Sequence, residues 1–270
     1  MALTREGVAL TEAHRLAQLA VAARAERVSR SLWRRLDLAD LDRSQSVWLP
    51  AQLALLSSSY RQSQDVAGEY VSAYRAVEAT GPTGPFVAPL PDMAAMTTTA
   101  LATGPWQVKV YIRDGLDPRS AKAAALSKFG GAVRREVLAG GRKAIDATTS
   151  ADGQAIGWRR VSDGDPCTFC AMLVTRGPVY ASAETATARA GEGLRYHSHC
   201  GCTAEIVYGE WIPNEDEQAY IDAYEAAARE ATAVDGVRTE DTVLWRMRRD
   251  GPFHDSLARR RKTSDVEDAG

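Results

Sequence analysis

The chain has 270 residues, of which 45% are apolar and 25% charged, with a formal net charge of -2. That length allows one large domain or two smaller ones around a real core, and the near-zero charge argues against global attraction to nucleic acid while leaving a local basic patch open. No stretch approaches the roughly eighteen uninterrupted apolar residues of a transmembrane helix, so no membrane partner is expected.

Aromatic residues make up only 7% and alanine occurs in long runs, a composition that favours helix over sheet. Residues 11 to 36 read as a first helix, capped by Thr11, with Leu16, Leu19, Ala23, Val28 and Leu32 as its apolar positions. Arg24, Arg27, Arg30, Arg34 and Arg35 stud this segment. They read either as a contact for nucleic acid or an acidic partner, or as a solvated helix face with Glu26 and Asp37 nearby. A second helix is expected from about Ala51 to Glu78, burying a stripe of Leu53, Leu56, Tyr60, Ala67, Tyr70, Val71 and Tyr74.

The prolines of residues 79 to 92 remove backbone donors and lock dihedrals, so this stretch reads as a linker. A short helix is expected over Met93 to Thr103 and a strand over Trp106 to Ile112. Asp117-Pro118 announces a further helix, carried by Leu126, Phe129, Val133 and Val137. Gly130-Gly131 and Gly140-Gly141 weaken it, and the second pair is expected to end or bend it. Strands are expected over Ile156 to Val161 and Thr203 to Tyr208. Asn214, followed by Glu215, Asp216 and Glu217, opens a helix running to about Ala233. Beyond it no apolar period is evident, and Arg259-Arg-Arg-Lys262 belongs to a charged, partly disordered tail.

The four cysteines all fall between Asp163-Gly-Asp-Pro-Cys-Thr-Phe-Cys170 and Tyr196-His-Ser-His-Cys-Gly-Cys202. The opening residues carry no apolar signal-peptide core, so a reducing cytoplasm is expected and clustered Cys-x-x-Cys and Cys-x-Cys favour metal over disulfides. Cys167 and Cys170 can grip one ion from a single turn, and Cys200 and Cys202 share a face if extended. His197 and His199 offer imidazole. Six candidates compete for four places around a structural zinc ion. Asp163 and Asp165 flank Gly164 in a turn that presents Cys167.

Catalytic readings of this cluster fail on residues. Pro166-Cys-Thr-Phe-Cys170 matches half of a zinc deaminase signature, but the upstream His-x-Glu is absent, since His14 is followed by Arg15-Leu16. Nucleophile-elbow, metalloprotease, phosphate-loop and dinucleotide motifs are also missing. The expectation is a protein that is not an enzyme.

The segment Gly157 to Leu173, then Gly177-Pro-Val-Tyr180, then His197-Ser-His-Cys-Gly-Cys202 resembles the MuF-like (phage Mu F-like) minor head, or head morphogenesis, proteins of actinobacteriophages. In that family the closing motif reads His-Pro-x-Cys-Arg-Cys. Ser198 replaces the proline and Gly201 the arginine, while His197, Cys200 and Cys202 match and His199 falls at the variable position. The resemblance therefore implies the metal set Cys167, Cys170, His197, Cys200 and Cys202, with structural Zn2+. It also implies a minor capsid protein that meets portal, capsid and scaffold proteins during procapsid assembly. Such a protein is made in the host cytoplasm and resides in the virion, in the head interior or at the portal vertex. Some relatives carry a fused enzymatic domain, for which no room is expected after Ala233.

The fold expected is mainly α with a small zinc-stapled α+β module. The regions are an N-terminal helical part (1–80), a proline-rich connecting segment (81–118), a MuF-like domain (119–235) and the charged tail (236–270). Packaged DNA is a further expected partner, through the basic helix and tail. The competing reading is a zinc-dependent nucleic-acid-binding protein.

Overall fold

The computed structural model describes residues 2–81, 84–162, 164–178, 200–251 and 253. Among these, eight helices and one two-stranded sheet form a mainly α architecture with a small α+β module. The frame is three long helices: α1 (Arg5–Trp33), α2 (Leu41–Glu78) and α5 (Pro118–Ala151).

Helix α1 starts at Arg5, capped by the Thr4 hydroxyl, which accepts from the Gly7 N–H at 2.9 Å. Thr11, the expected cap, is instead buried inside the helix, where its hydroxyl donates to Glu205 at 2.8 Å. The buried face is Gly7, Thr11, His14, Gln18, Ala22, Ala25, Ser29 and Trp33. Leu16 and Val28, expected inside, are 54% and 42% exposed. The reason is close packing. Small residues let α1 approach α2, and the buried polar ones are satisfied across the contact. The Gln18 amide donates to the Ser63 carbonyl at 2.8 Å and accepts from the Ser63 hydroxyl at 2.6 Å, as buried polar groups require.

Helix α2 begins at Leu41, ahead of the expected Ala51, with Asp40 as cap. Pro50 lies within it on the exposed side, where the lost hydrogen bond faces water rather than the core. The expected stripe from Leu56 to Tyr74 is buried, and Leu53 packs against it.

Trp33 of α1, Trp48 of α2 and Phe129 of α5 meet at ring-centroid distances of 5.2 to 6.0 Å. This core therefore joins helices from both sides of the proline-rich segment. Helix α3 (Met93–Thr103) is capped by Asp92. The expected strand at Trp106 to Ile112 is a helix, α4 (Pro105–Arg113), with Pro105 in its first turn. Val108 is buried and Tyr111 and Ile112 pack beside it. That is i, i+3, i+4 spacing, which outweighs the weak alternation.

Helix α5 runs unbroken through both glycine pairs to Ala151. A Cβ on Gly140 would stand 2.2 Å from the Tyr60 carbonyl oxygen, and one on Gly141 2.4 Å from Gln18 Nε2. These glycines are where α1 and α2 press on α5. They do not end the helix, because tertiary contact there outweighs the cost in propensity.

Strands β1 (Gly157–Val161) and β2 (Thr203–Val207) pair antiparallel, with Trp158 opposite Ile206 and Arg159 opposite Glu205. Trp158, Ala204 and Ile206 pack on Tyr70 and Tyr74 of α2 and Ile145 of α5. A separate core forms around α6 (Thr168–Val174), α7 (Glu215–Asp235) and α8 (Glu240–Asp250). Helix α7 opens with the Asn214–Glu217 capping box. Helix α8 lies where only charged tail was expected. Val243, Leu244 and Met247 are buried against α6 and α7, and the surrounding charges obscure that short period in the sequence. Arg259 to Lys262 lie outside the described residues.

Candidate metal centre

Between β1 and α6 the chain turns at Gly164, whose φ of +86° is a left-handed conformation that glycine adopts without strain. The turn delivers Cys167 to the N-cap of α6, where its sulfur accepts from the Cys170 N–H at 3.4 Å. Cys170 lies in the first turn of that helix and is buried. Cys200 and Cys202 lie just before β2, also buried.

The sulfurs of Cys170, Cys200 and Cys202 all lie within 4.8 Å of one another, and those of Cys170 and Cys200 are 3.4 Å apart. All four cysteines are free thiols. A zinc ion bound at about 2.3 Å by tetrahedral thiolates holds its sulfurs about 3.8 Å apart, so this trio fits a thiophilic metal. Three buried thiols so placed can hold an ion. Cys167 packs against the trio without joining it at that distance. His197 and His199 lie outside the described residues.

Two buried arginines flank the sulfurs. Arg160 of β1 is 1% exposed and points its Nη1 at Cys170 Sγ, 3.7 Å away. Arg142 of α5 donates to the carbonyl oxygens of Cys200 and Cys202, each at 3.1 Å through one of its nitrogens. Hydrogen bonds from Cys170 and Cys202, with the positive charge of Arg142 and Arg160 added, push the Cys200 thiol well below its ordinary range. Hydrogen bonds to Cys167 and Cys200 push Cys170 well above it. The cluster thus favours at least one thiolate, the form that binds metal.

Sequence reasoning did not single out these arginines. Their signal was Arg159-Arg160 inside a short strand, where consecutive side chains face opposite ways. Arg160 faces the sulfurs, while Arg159 ion-pairs with Glu205 at 2.6 Å and with Glu217 of α7. Arg142 follows the Gly140-Gly141 pair, which read only as a helix weakness.

Residues 7–227 match the VG15 protein family. This chain belongs to the VG15 protein family. The matched region runs from α1 into α7 and so contains the thiol cluster of this VG15-family chain. A 77-residue segment is 40% identical to the "Gene 15 protein" of Mycobacterium phage D29, covering 27% of this chain and 28% of that protein. The likeness therefore spans well under a third of the relative's length. No solved structure matches the VG15-family chain.

Proposed function

We propose that this VG15-family protein is a minor capsid protein of the MuF-like type, which joins portal and capsid or scaffold proteins during phage head assembly and stays in the virion. The kinship with a mycobacteriophage gene product supports a phage role. The observation that carries the structural half of the reading is the burial of Cys170, Cys200 and Cys202 behind α5, where Arg142 ties down their backbone. A centre so enclosed suits a structural ion rather than one that must admit substrate.

In this reading the ion is zinc, held by Cys170, Cys200 and Cys202 with Cys167 or His197 as the fourth donor. Bound zinc supplies folding free energy to a module whose two five-residue strands bury too little apolar surface alone. The protein performs no chemistry itself. Its work is binding, by the outer faces of the helices.

Co-purification of the full chain with the portal protein of its own phage tests the assembly role. A stable complex that survives gel filtration is expected. Portal and chain eluting separately at micromolar concentrations, with folded zinc-loaded chain, would count against it. Removing residues 1–80 is not a useful variant, because α1 and α2 share their core with α5.

A further inference from the structure

The arginines at the C-terminal end of α1 and in the turn after it form a face that the rest of the protein leaves uncompensated. Arg24, Arg27, Arg30, Arg34 and Arg35 are all exposed. Among the described residues none of them makes an ion pair, although ion pairs are plentiful elsewhere on the surface. The acids that could have balanced them are engaged. Glu26 pairs with Arg134 of α5 at 2.5 Å. Asp37 accepts from the Ala39 N–H at 2.9 Å, Asp40 caps α2, and Asp42 pairs with Lys109. The stretch is a solvated face, as expected, and Glu26 and Asp37 nearby have other partners.

The distribution of charge strengthens the point. Residues 24 to 35 hold five arginines and one glutamate, a net +4, in a chain of net -2, so the remainder carries -6. A molecule polarised in this way orients one end toward a polyanion. At 100° and 1.5 Å per residue Arg24, Arg27 and Arg30 cover about 120° of arc and about 9 Å of helix, and Arg34 and Arg35 follow in the turn beyond Trp33. Phosphates of one strand recur about every 3.4 Å along the duplex axis, so such a row spans several of them. Guanidinium groups match phosphate oxygens in forked pairs. An interface with another protein would be expected to carry a central aromatic or apolar anchor. Between these arginines the exposed positions are Val28 and Ser31, which do not make one.

We propose that this face of α1 binds the phosphate backbone of double-stranded DNA without sequence preference. The inference does not depend on the thiol centre or on the portal contact, and it fails or stands separately from them.

The test is fluorescence anisotropy of the full chain with a labelled 25-base-pair duplex between 50 and 200 mM salt. Five neutralised phosphates give a slope of about -4.5 in log K against log salt, a loss of about 500-fold over that range. The variant R24Q/R27Q/R30Q/R34Q/R35Q, checked for an unchanged circular dichroism spectrum, should bind at least tenfold more weakly at 50 mM salt and lose most of the slope. Should it fail to fold, R24Q/R27Q and R30Q/R34Q should each reduce the slope by about 2. Replacing Arg259, Arg260, Arg261 and Lys262 by glutamine should leave the contribution of α1 intact. Three results overturn the proposal: no binding at 50 mM salt, binding unaffected by the α1 variants, or polyglutamate competing as well as DNA. The last would assign the face to an acidic polypeptide.

Discussion

Arg142 donates from the middle of α5 to the carbonyl oxygen of Cys202, at 3.1 Å through Nε and 2.5 Å through Nη2. One guanidinium thus ties the backbone of the last cysteine to α5. Partners that orient metal ligands are worth about 10- to 100-fold in affinity. Arg142→Met is therefore expected to lower zinc affinity by at least tenfold, read by competition with a colorimetric chelator. An unchanged affinity in a folded variant would remove Arg142 from the centre.

Withdrawal of the metal should act locally. The sheet and α6 surround the sulfurs, whereas the Trp33, Trp48 and Phe129 core lies in α1, α2 and α5. Treatment with a strong chelator should expose residues 157–162, 164–178 and 200–207 to protease while the three long helices persist by circular dichroism. Zinc release without any change in the protease pattern would contradict a structural role.

His14 offers a pH signature. It is buried, stacks on Tyr70 at a centroid distance of 4.3 Å, and burial lowers its pKa to about 4, against a smaller opposing effect of a hydrogen bond with the Val66 backbone. The unfolded chain takes up this proton near pH 6.5 and the folded one only near pH 4. Its contribution is thus fully present above pH 6.5 and declines as pH falls toward 4, by about 3 kcal/mol. Urea unfolding from pH 4 to 7 should be steeper in pH for the native protein than for His14→Gln. Parallel curves would refute the assignment.

The glycines of α5 are not equivalent. Gly140→Ala drives a methyl against the Tyr60 carbonyl and should destabilise by about 1–3 kcal/mol. At Gly130 a Cβ meets nothing within 4 Å, so Gly130→Ala should stabilise by about 0.5–1 kcal/mol through helix propensity. Thermal melts of the two variants should move in opposite directions.

Arg159 holds two buried carboxylates, Glu205 and Glu217, from β2 and α7. Arg159→Met leaves both without their cation, a loss of about 3–5 kcal/mol. Denaturant unfolding that shows less than 1 kcal/mol of change would mean that water or Thr11 replaces the guanidinium.

Local chemistry was legible where a residue acts on its own neighbours. Asp117-Pro118 and Asn214 with Glu217 announced helix starts because a cap is satisfied within one turn. The two strands beside the cysteines were legible as short segments with Trp158, Val161, Ile206 and Val207, flanking the cysteine clusters. The spacing of Cys167, Cys170, Cys200 and Cys202 raised a metal centre because ligands of one ion must share a turn or a face.

The rest was decided between elements distant in sequence. Which face of α1 is buried depended on small and polar residues finding Ser63, Tyr70 and Glu205 across the contact. A leucine stripe is the stronger signal in one dimension, yet here close approach overruled it. Gly140 and Gly141 looked like breaks until α1 and α2 lay against them. Helix α8 gained its meaning from α6 and α7, since its three buried apolar residues cover little by themselves. Arg142 and Arg160 became part of the thiol cluster only when folding brought them beside Cys170, Cys200 and Cys202. Ligand spacing is local and can be read along the chain, but the charge that surrounds a ligand set is assembled by tertiary structure.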